Sequence, residues 1–473
     1  MSTKKLKVHF IGIGGIGVSA LARYYLENGY KVSGSDLVAS EITNGLKKLG
    51  TKIIIGKHKT KNLPEDADLV IYSPAVQKSN SELLKAKSYK LNAKSYPEAL
   101  GELTERHFTI AISGTHGKST TTAMIGLLLV KAGFDPTVII GTKLKEFGDS
   151  THSTSSGLTL SNIEGSNCRV GKSQYLVIEA DEYMASFLNY WPKIIVLTNI
   201  ERDHLDYYKN LKNILKTFKK YIGYLPKNGW LVANRDDKNV QQLTKSKKQE
   251  TVYYSLKQPE AKKLKKILKV PGEHNIYNAL AALTTARILK IPDRISFKAL
   301  SEYKGAWRRF EVTEIKYPKS ITLISDYAHH PTEIKATLEA VQEKYLYPPK
   351  FCEAKLRRAR QKIWCVYQPH QYQRTYYLFN DFVKVLSRAP VDKLIITDVY
   401  DVAGREEKKI KEKVNSKKMV KAINKKNVIY LRKEEILDYL KQNLKGGEAV
   451  IIMGAGDIYN LTLRLTGLNK NHY

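Results

Sequence analysis

A short loop between two apolar segments carries the residues of this sequence that are best suited to chemistry. The loop reads Gly114-Thr115-His116-Gly117-Lys118-Ser119; it follows a strand-like run at residues 109–112, and a helix is predicted from residues 120 to 131. In such a loop the backbone N–H groups hold nucleotide phosphates, the lysine neutralises them, and the hydroxyl binds Mg²⁺. The general GxxxxGK[ST] pattern needs glycine where this chain has Ile112, so we expect a narrower family of ATP-binding proteins.

Polar residues also follow two later strand-like runs. Glu179 comes directly after the run at residues 175–178, and His204 lies in the polar stretch after residues 194–197. Because the carboxyl ends of parallel strands face the crevice that holds a nucleotide, Glu179 and His204 are expected to share one Mg²⁺. Mg²⁺ prefers oxygen ligands, so a histidine ligand indicates a second ion on the substrate side. The sequence therefore predicts two Mg²⁺ ions.

A second glycine loop lies near the start of the chain. Gly12, Gly14 and Gly17 form GxGxxG after a strand-like run at residues 7–11, and Asp36 follows Gly17 by 19 residues. This pattern lets the backbone approach a pyrophosphate at a helix N-terminus, and the acid can bind a ribose hydroxyl. A UDP-sugar presents the same diphosphate as NAD, so a nicotinamide-dependent oxidoreductase stays open as an alternative.

The elements that must position these loops alternate between strand-like and helical patterns. Three stretches, beginning near residues 7, 109 and 321, each open with a strand, which predicts parallel βαβ units in an α/β protein. We expect domain boundaries near residues 106 and 313. Further strands are predicted at residues 30–33, 52–55, 69–73, 175–178, 194–197, 363–367, 393–397 and 449–453.

Length and composition exclude several classes of protein. The chain has 473 residues, of which 42% are hydrophobic and 26% charged, as in a globular protein of roughly two to four domains. No apolar run approaches the ~18 residues of a membrane helix, and no signal peptide is indicated. The cysteines Cys168, Cys352 and Cys365 are unclustered, which argues against a disulfide framework and favours the cytoplasm.

The net charge of +33 would attract polyanions, so a nucleic-acid-binding ATPase is a further hypothesis. The lysines are scattered, however, and no helix-turn-helix, zinc-finger or aromatic RNA-binding signature is present. The dense runs at residues 262–269 and 408–418 are predicted to be solvated faces, and residues 345–362 a basic loop with a helical piece. We therefore expect anionic small-molecule substrates and no nucleic-acid partner.

The motifs, taken in order, resemble those of the Mur ligases from residue 7 to about residue 465. They are GTHGKST, EADE, NIERDHLD, PGEHNIYNALAA, RRFE, DYAHHPTE, QPHQYQRT and MGAGDI. The resemblance implies a Rossmann-like UDP-binding domain at residues 1–106, a central P-loop-type ATPase domain with a parallel sheet at 107–313, and a Rossmann-like C-terminal ligase domain at 314–473. It also implies a cytoplasmic monomer or homodimer.

The resemblance assigns roles to individual residues of this sequence. The UDP-substrate residues would be Gly15, Ile16, Gly17, Val18, Ser19 and Asp36. The ATP-binding residues would be Gly114, Thr115, His116, Gly117, Lys118, Ser119, Thr120, His274, Asn275, Asn278, Arg309 and Asp326. The metal ligands would be Ser119, Glu179 and His204. The catalytic residues would be Lys118, Glu179, His204, His329 and Arg374, with His330 also facing the reacting centre.

Within the family, the motifs are most similar to those of the members that join L-alanine to the lactyl carboxylate of UDP-N-acetylmuramate at the expense of ATP. That reaction phosphorylates the carboxylate, and the amine then displaces phosphate. It gains from cationic side chains and Mg²⁺, and it needs no protein nucleophile. Bulk water would hydrolyse an acyl phosphate, so domain closure is expected.

Two positions depart from that subgroup. Gln371 stands where an arginine is usual, and neutral glutamine cannot clamp a carboxylate as arginine does. Tyr183 and Met184 follow EADE where serine and aspartate are usual, and EADEY is similar to the members that recycle L-Ala-γ-D-Glu-meso-diaminopimelate. The tripeptide therefore remains the alternative amine substrate.

Overall fold

The structure is a computed structural model, and it describes residues 5–147, 165–245, 250–316, 320–346, 361–402 and 408–467. Cys352 and most of the predicted basic loop lie outside the described residues. Two compact units divide the chain: the first comprises Met1–Ile200, Ile214–Leu264 and Tyr277–Tyr303, and the second comprises Glu201–Asn213, Lys265–Ile276 and Lys304–Tyr473. None of the described helices is both long enough and apolar enough to cross a membrane.

A five-stranded parallel sheet begins the first unit, with the strand order β3-β2-β1-β4-β5. Its strands are β1 Lys7–Ile11, β2 Lys31–Asp36, β3 Lys52–Ile55, β4 Leu69–Tyr72 and β5 Ala93–Ser95. The helices of this region are α1 Ile16–Glu27, α2 Glu41–Lys48, α3 Ser81–Ser88 and α4 Tyr96–Arg106. Val8, Phe10 and Ile11 of the central strand β1 are buried apolar residues, as expected for a parallel strand covered on both faces, and the polar His9 is buried with them.

A seven-stranded sheet follows, in the order β12-β11-β10-β6-β9-β7-β8. Its strands are β6 Phe108–Ser113, β7 Thr137–Leu144, β8 Ser166–Arg169, β9 Tyr175–Glu179, β10 Ile194–Leu197, β11 Trp230–Asn234 and β12 Glu250–Tyr254. The next helices are α5 Lys118–Lys131, α6 Leu205–Tyr208, α7 Leu211–Ile222, α8 Lys238–Thr244, α9 Pro259–Ile267, α10 Glu273–Ile288 and α11 Asp293–Glu302. All pairs are parallel except β7 with the edge strand β8.

The second unit contains a six-stranded sheet in the order β13-β14-β18-β15-β16-β17. Its strands are β13 Glu311–Ile315, β14 Ile321–Asp326, β15 Ile363–Tyr367, β16 Lys393–Ile396, β17 Val428–Tyr430 and β18 Ala449–Met453. The remaining helices are α12 Pro331–Val341, α13 Tyr372–Tyr377, α14 Phe379–Ser387, α15 Lys408–Lys413, α16 Ser416–Ile423, α17 Lys433–Asn443 and α18 Tyr459–Leu465. Only β13 runs antiparallel to its neighbour.

Alternate residues of β15 supply two separate cores, one on each face of this last sheet. Cys365 and Tyr367 pack in one core, whereas Val366 packs in the other. This follows from the two-residue repeat of a strand, which points successive side chains to opposite faces. The α/β fold is thus confirmed; among the described strands, one sheet is wholly parallel and the other two are parallel except for one edge strand each.

Candidate active site

The predicted ATP loop connects β6 to α5, and two of its glycines are required by their surroundings. Gly114 has φ +130° and Gly117 has φ +80°, a backbone region that other residues rarely adopt. A Cβ on Gly114 would lie 2.1 Å from the hydroxyl of Thr198, and one on Gly117 would lie 2.4 Å from Oδ1 of Asn278. The loop therefore packs directly against the end of β10 and against Asn278 of α10.

Asn199 already occupies two N–H groups of this loop. Its carbonyl accepts from Thr115 N at 2.9 Å, and its Oδ1 accepts from His116 N at 2.9 Å. The helical hydrogen bonds of α5 begin at Thr121 N, which donates to the Gly117 carbonyl. The N–H groups of residues 118–120 precede that ladder, and a helix N-terminus of this kind is suited to a phosphate. Thr115 and His116 thus shape the loop, and the start of α5 offers the anion site.

Lys118 is held by a buried carboxylate that the sequence analysis did not single out. Its Nζ donates to both carboxylate oxygens of Glu182, at 3.1 and 2.9 Å, and to the carbonyls of Gly114 and Thr115, at 2.7 and 3.1 Å. Burial alone would lower the pKa of Lys118, but the nearby carboxylates, Glu182 foremost, raise it above its usual value. The lysine therefore stays an ammonium, as a phosphate-binding cation must.

Glu179 and Ser119 come together beside this lysine. Ser119 Oγ donates to Glu179 Oε1 at 3.0 Å, and the backbone N–H of Gly141 on β7 donates to Glu179 Oε2 at 2.8 Å. A hydroxyl and a carboxylate are hard oxygen donors of the kind that Mg²⁺ prefers. These two predicted metal ligands thus fit a magnesium site. His204 belongs to the second unit and is described below.

The N-terminal glycine loop is fastened to the end of β2. Gly12 and Ile13 donate to the carbonyl of Ser35 at 2.8 and 3.1 Å, and Gly14 N donates to Asp36 Oδ2 at 2.7 Å. Asp36 was predicted to lie beside the nucleoside; in this structure its carboxylate holds the loop itself. A Cβ on Gly14 would lie 2.9 Å from that carboxylate, so the glycine is needed for this approach.

The predicted UDP residues Gly15, Ile16, Gly17, Val18 and Ser19 form the N-cap and first turn of α1. Asn167 of β8 donates from Nδ2 to the carbonyl of Ile16 at 2.7 Å and to Ser19 Oγ at 2.8 Å. The ring of Tyr96 lies against Gly17, where an added Cβ would be 2.9 Å from the phenol oxygen. Burial raises the pKa of the Tyr96 phenol above its usual value, and the nearby Glu179 carboxylate raises it further.

Both predicted anion sites of the first unit therefore adjoin one strand pair. Helix α1 packs against β7 and β8, and Gly141 of β7 holds Glu179 of the magnesium site. An ion pair between Lys143 on β7 and Glu41 on α2 adds a second link, with Nζ and Oε1 2.7 Å apart. The start of α1 and the Glu179 carboxylate are thus both attached to β7.

Arg374 and Asp203 form a buried ion pair in the second unit. Arg374 Nε lies 2.9 Å from Asp203 Oδ1, and Nη2 lies 3.3 Å from Oδ2. Burial alone would raise the pKa of Asp203, but the Arg374 guanidinium holds it well below its usual value. Arg374 Nη1 is also 3.2 Å from Nδ1 of His370. The arginine predicted to face the incoming amino acid is therefore bonded bidentately within the protein.

His204 and Gln371 lie beside this pair, and both have left-handed backbones. His204 has φ +51° at the start of α6, and its Nε2 lies 3.8 Å from Asp203 Oδ2. Gln371 has φ +71° at the start of α13. Strained positions of this sort collect at functional sites. A small cavity is lined by Asp203, His204, Leu205, Asp206, Gln371, Arg374, Tyr377 and Leu378.

His329 and His330, just before helix α12, point in different directions. His329 Nδ1 lies 3.0 Å from the carboxylate of Glu333, and its ring meets that of His370 edge-on. His330 is buried, and its Nε2 lies 3.1 Å from the carbonyl of Arg202. His329 thus stands near Arg374 through His370, whereas His330 caps helix α12.

The predicted ATP residues of the second unit lie in two places. Asp326 is buried and accepts from the N–H groups of Phe310 and Ala328, at 2.7 and 2.8 Å, so it organises the turn after β14. Arg309 stacks over the Tyr327 ring, 4.8 Å from its centroid. His274 and Asn275 begin α10, and burial lowers the pKa of His274 to about 4.

Models of one family match the chain in three consecutive segments. The model described as Mur ligase family, catalytic domain matches residues 7–108; Mur ligase middle domain matches residues 112–286; and Mur ligase, glutamate ligase domain matches residues 308–456. The chain belongs to the Mur ligase family.

Among its curated relatives are proteins named UDP-N-acetylmuramate–L-alanine ligase. Those of Clostridium acetobutylicum and Acetivibrio thermocellus are both 39% identical to it; the alignments cover 96% of this chain and 96% and 94% of the relatives. The solved UDP-N-acetylmuramate–alanine ligase of Thermotoga maritima is similar with a TM-score of 0.75 at 26% identity, covering 98% of this chain and 99% of that one. A murein peptide ligase of Psychrobacter arcticus shares the fold, with a TM-score of 0.68 at 22% identity over 99% of this chain and 100% of that one.

Proposed function

We propose that this protein is an ATP-dependent ligase that joins L-alanine to the lactyl carboxylate of UDP-N-acetylmuramate. The observation that carries the proposal is that the two predicted anion sites adjoin β7: the start of α1, bonded to Asn167, and the Lys118 loop with Glu179. This arrangement suits a substrate whose diphosphate and carboxylate are carried by two different positions of one sugar. The names of the relatives support the same substrate.

The chemistry follows from the poor reactivity of a carboxylate. Oxide is not a leaving group, so the carboxylate oxygen first attacks the γ-phosphorus of ATP, forming an acyl phosphate and ADP. The alanine amine then attacks the acyl carbon, loses a proton, and expels inorganic phosphate. Lys118 would bind the phosphoryl oxygens, whose negative charge it neutralises. When bound at Ser119 and Glu179, Mg²⁺ would supply further positive charge to those oxygens.

The remaining predicted roles belong to this proposal. Glu179 and His204 would share a second Mg²⁺, and Arg309 would contact ATP after closure. Arg374 would act mainly by fixing the segment around Asp203 and His204, because its own donors are engaged by that carboxylate. Asp326 would shape the turn that carries His329. Domain boundaries near residues 106 and 313, and a cytoplasmic location, complete the proposal.

The recycling tripeptide is the second candidate for the amine. Gln371 lines the cavity beside Asp203 and Arg374 and brings no charge of its own, whereas an arginine there would favour a small amino-acid carboxylate. Tyr183 stands directly after the acidic EADE motif, as in the recycling ligases. The oxidoreductase alternative accounts for neither Lys118 nor its acidic partners, and we set it aside.

A phosphate-release assay tests the proposal. The purified protein would be incubated with ATP, Mg²⁺, UDP-N-acetylmuramate and one amine at a time: L-alanine, glycine, L-serine or the tripeptide. We expect release to require every component and to be fastest with L-alanine. Release that ignores the muramyl substrate would contradict the proposal, and preference for the tripeptide would favour recycling.

A further inference from the structure

A buried polar network lies beneath the N-terminal glycine loop and has no part in the chemistry described above. Glu82 on α3 has no exposed surface. Its carboxylate is 3.0 Å from Nε2 of His9, 2.7 Å from Nδ1 of His58, and accepts from Ser35 Oγ at 2.8 Å and Asn62 Nδ2 at 3.2 Å. Four neighbours from three separate segments, β1, β2 and the connection between β3 and β4, therefore converge on one acid.

Both carboxylate oxygens of Glu82 have hydrogen-bond partners, and the carboxylate is charged. Burial by itself would raise the pKa of Glu82, but hydrogen bonds from His9, His58 and Ser35 hold it below the usual value. His9 is also fixed from behind, because its Nδ1 lies 2.9 Å from Ser33 Oγ. A buried carboxylate with several partners is costly to disturb and fixes its neighbours in one arrangement.

Ser35 connects this network to the glycine loop. Its hydroxyl donates to Glu82, while its backbone carbonyl accepts from the N–H groups of Gly12 and Ile13. The next residue, Asp36, accepts from Gly14 N. The C-terminal end of β2 therefore anchors the glycine loop by hydrogen bonds. The contact between Ser35 and Glu82 in turn fixes the position of this strand end relative to α3.

We propose that Glu82 is a positioning residue for the diphosphate-binding loop, acting through Ser35. The identification of the loop's ligand as a uridine diphosphate rests on the function proposed above. A positioning role differs from a merely structural one in what it controls: loss of Glu82 should weaken binding of the sugar nucleotide and leave the ATP site unaffected.

The variants Glu82→Gln and Ser35→Ala test this. Glutamine keeps the shape of Glu82 but exchanges one acceptor for an NH₂ group, which cannot receive the hydrogen bonds made there; alanine at position 35 removes only the hydroxyl and keeps the carbonyl. Leu83→Ala is the matched control, because Leu83 is the next residue of α3, is 2% exposed and packs in the neighbouring apolar core. It lowers stability without touching Ser35.

Binding of UDP would be measured by calorimetry, with KM for UDP-N-acetylmuramate, KM for ATP and melting temperature measured alongside. We expect Glu82→Gln and Ser35→Ala to weaken UDP binding and raise KM for the sugar nucleotide about fivefold or more, the effect of losing one hydrogen bond. KM for ATP should change less than about twofold, and Leu83→Ala should leave UDP binding unchanged.

Each outcome decides one question. Weakened UDP binding in all three variants, in proportion to melting temperature, would reduce Glu82 to a structural residue and overturn the inference. Unchanged UDP binding in Glu82→Gln would overturn it as well. If the wild-type protein binds UDP but does not join L-alanine to UDP-N-acetylmuramate, only the proposed reaction is contradicted. If the wild-type protein binds no UDP, both the proposed reaction and the positioning role of Glu82 are contradicted.

Discussion

The structure contains two buried ion pairs, Lys118 with Glu182 and Arg374 with Asp203. Each joins a basic side chain to a carboxylate, but they differ in whether a ligand can replace the carboxylate. Lys118 places a compact ammonium between one carboxylate and two loop carbonyls, all of which a phosphate oxygen can replace. Arg374 holds Asp203 with a planar fork, and its remaining donors face His370. The first pair can exchange partners with a ligand, whereas the second fixes the fold.

The comparison is tested most strongly by Lys118→Ala. Removal of the phosphate-binding ammonium should lower kcat about 10³-fold or more, since charge at the phosphoryl group is then uncompensated. Circular dichroism should still show a folded protein, with a lowered melting temperature because the buried Glu182 loses its cation. Lys131→Ala, at the exposed end of the same helix, is the control and should keep full activity. A Lys118→Ala enzyme that retains most of its rate would contradict the role.

Arg374→Ala, in contrast, should mainly lower the free energy of unfolding, whereas Lys118→Ala mainly lowers the reaction rate. Removing one partner of a buried pair leaves Asp203 charged and unsolvated, which costs about 3–5 kcal/mol. Urea unfolding would measure this loss. Arg432→Ala, which breaks an exposed pair with Glu435, should leave the stability nearly unchanged, because solvent screens that pair. If Arg374→Ala unfolds like wild type but fails to bind L-alanine, the arginine is a substrate ligand after all.

A pH dependence should appear at His274. Its pKa falls to about 4 in the folded protein, below the ~6.5 of an unfolded histidine. The unfolded chain therefore binds the extra proton first, so this group destabilises the fold as pH falls from about 6.5 towards 4, by roughly 1–2 kcal/mol at pH 5. His274→Asn should lose less stability between pH 7 and pH 5 than wild type. Equal losses would mean that His274 titrates normally.

The smallest expected effect is that of Gln371→Arg. An added guanidinium in the cavity beside Asp203 and His204 would offer a bidentate site for an amino-acid carboxylate. We expect KM for L-alanine to fall several-fold, with KM for ATP unchanged. Gln371→Lys is the control, since it adds charge without a fork. An unchanged KM in both variants would show that the cavity does not bind the amino acid.

Local patterns in the sequence were sufficient for most of the fold. Glycine loops and apolar runs predicted β1, β6, β10, β15 and β18 almost residue for residue. Strands β5, β7, β8, β11, β12, β13 and β17 were not predicted, although β7 and β11 lie inside the seven-stranded sheet. Strand β8 was missed because its four residues Ser-Asn-Cys-Arg carry no apolar alternation; its place is fixed by pairing with β7. Edge strands of this kind depend on tertiary contacts, which a local pattern does not contain.

The residues of the candidate site that belong to a short sequence motif, such as Lys118 and Ser119, could be predicted from the sequence. The carboxylates that pair with its basic side chains could not. Glu182 lies 64 positions from Lys118, and Asp203 lies 171 positions from Arg374, so only the fold reveals that each carboxylate engages its cation. The acids of EADE and ERDHLD were the available signal, since buried cations require nearby carboxylates.

The central claim is that the carboxylate of the sugar nucleotide is phosphorylated by ATP before the amine attacks. Isotope transfer measures this directly. UDP-N-acetylmuramate labelled with ¹⁸O in its lactyl carboxylate would be turned over with ATP and L-alanine, and the released phosphate analysed by mass spectrometry. The account predicts one labelled oxygen in each phosphate molecule formed from fully labelled substrate. Phosphate that carries no label would contradict it.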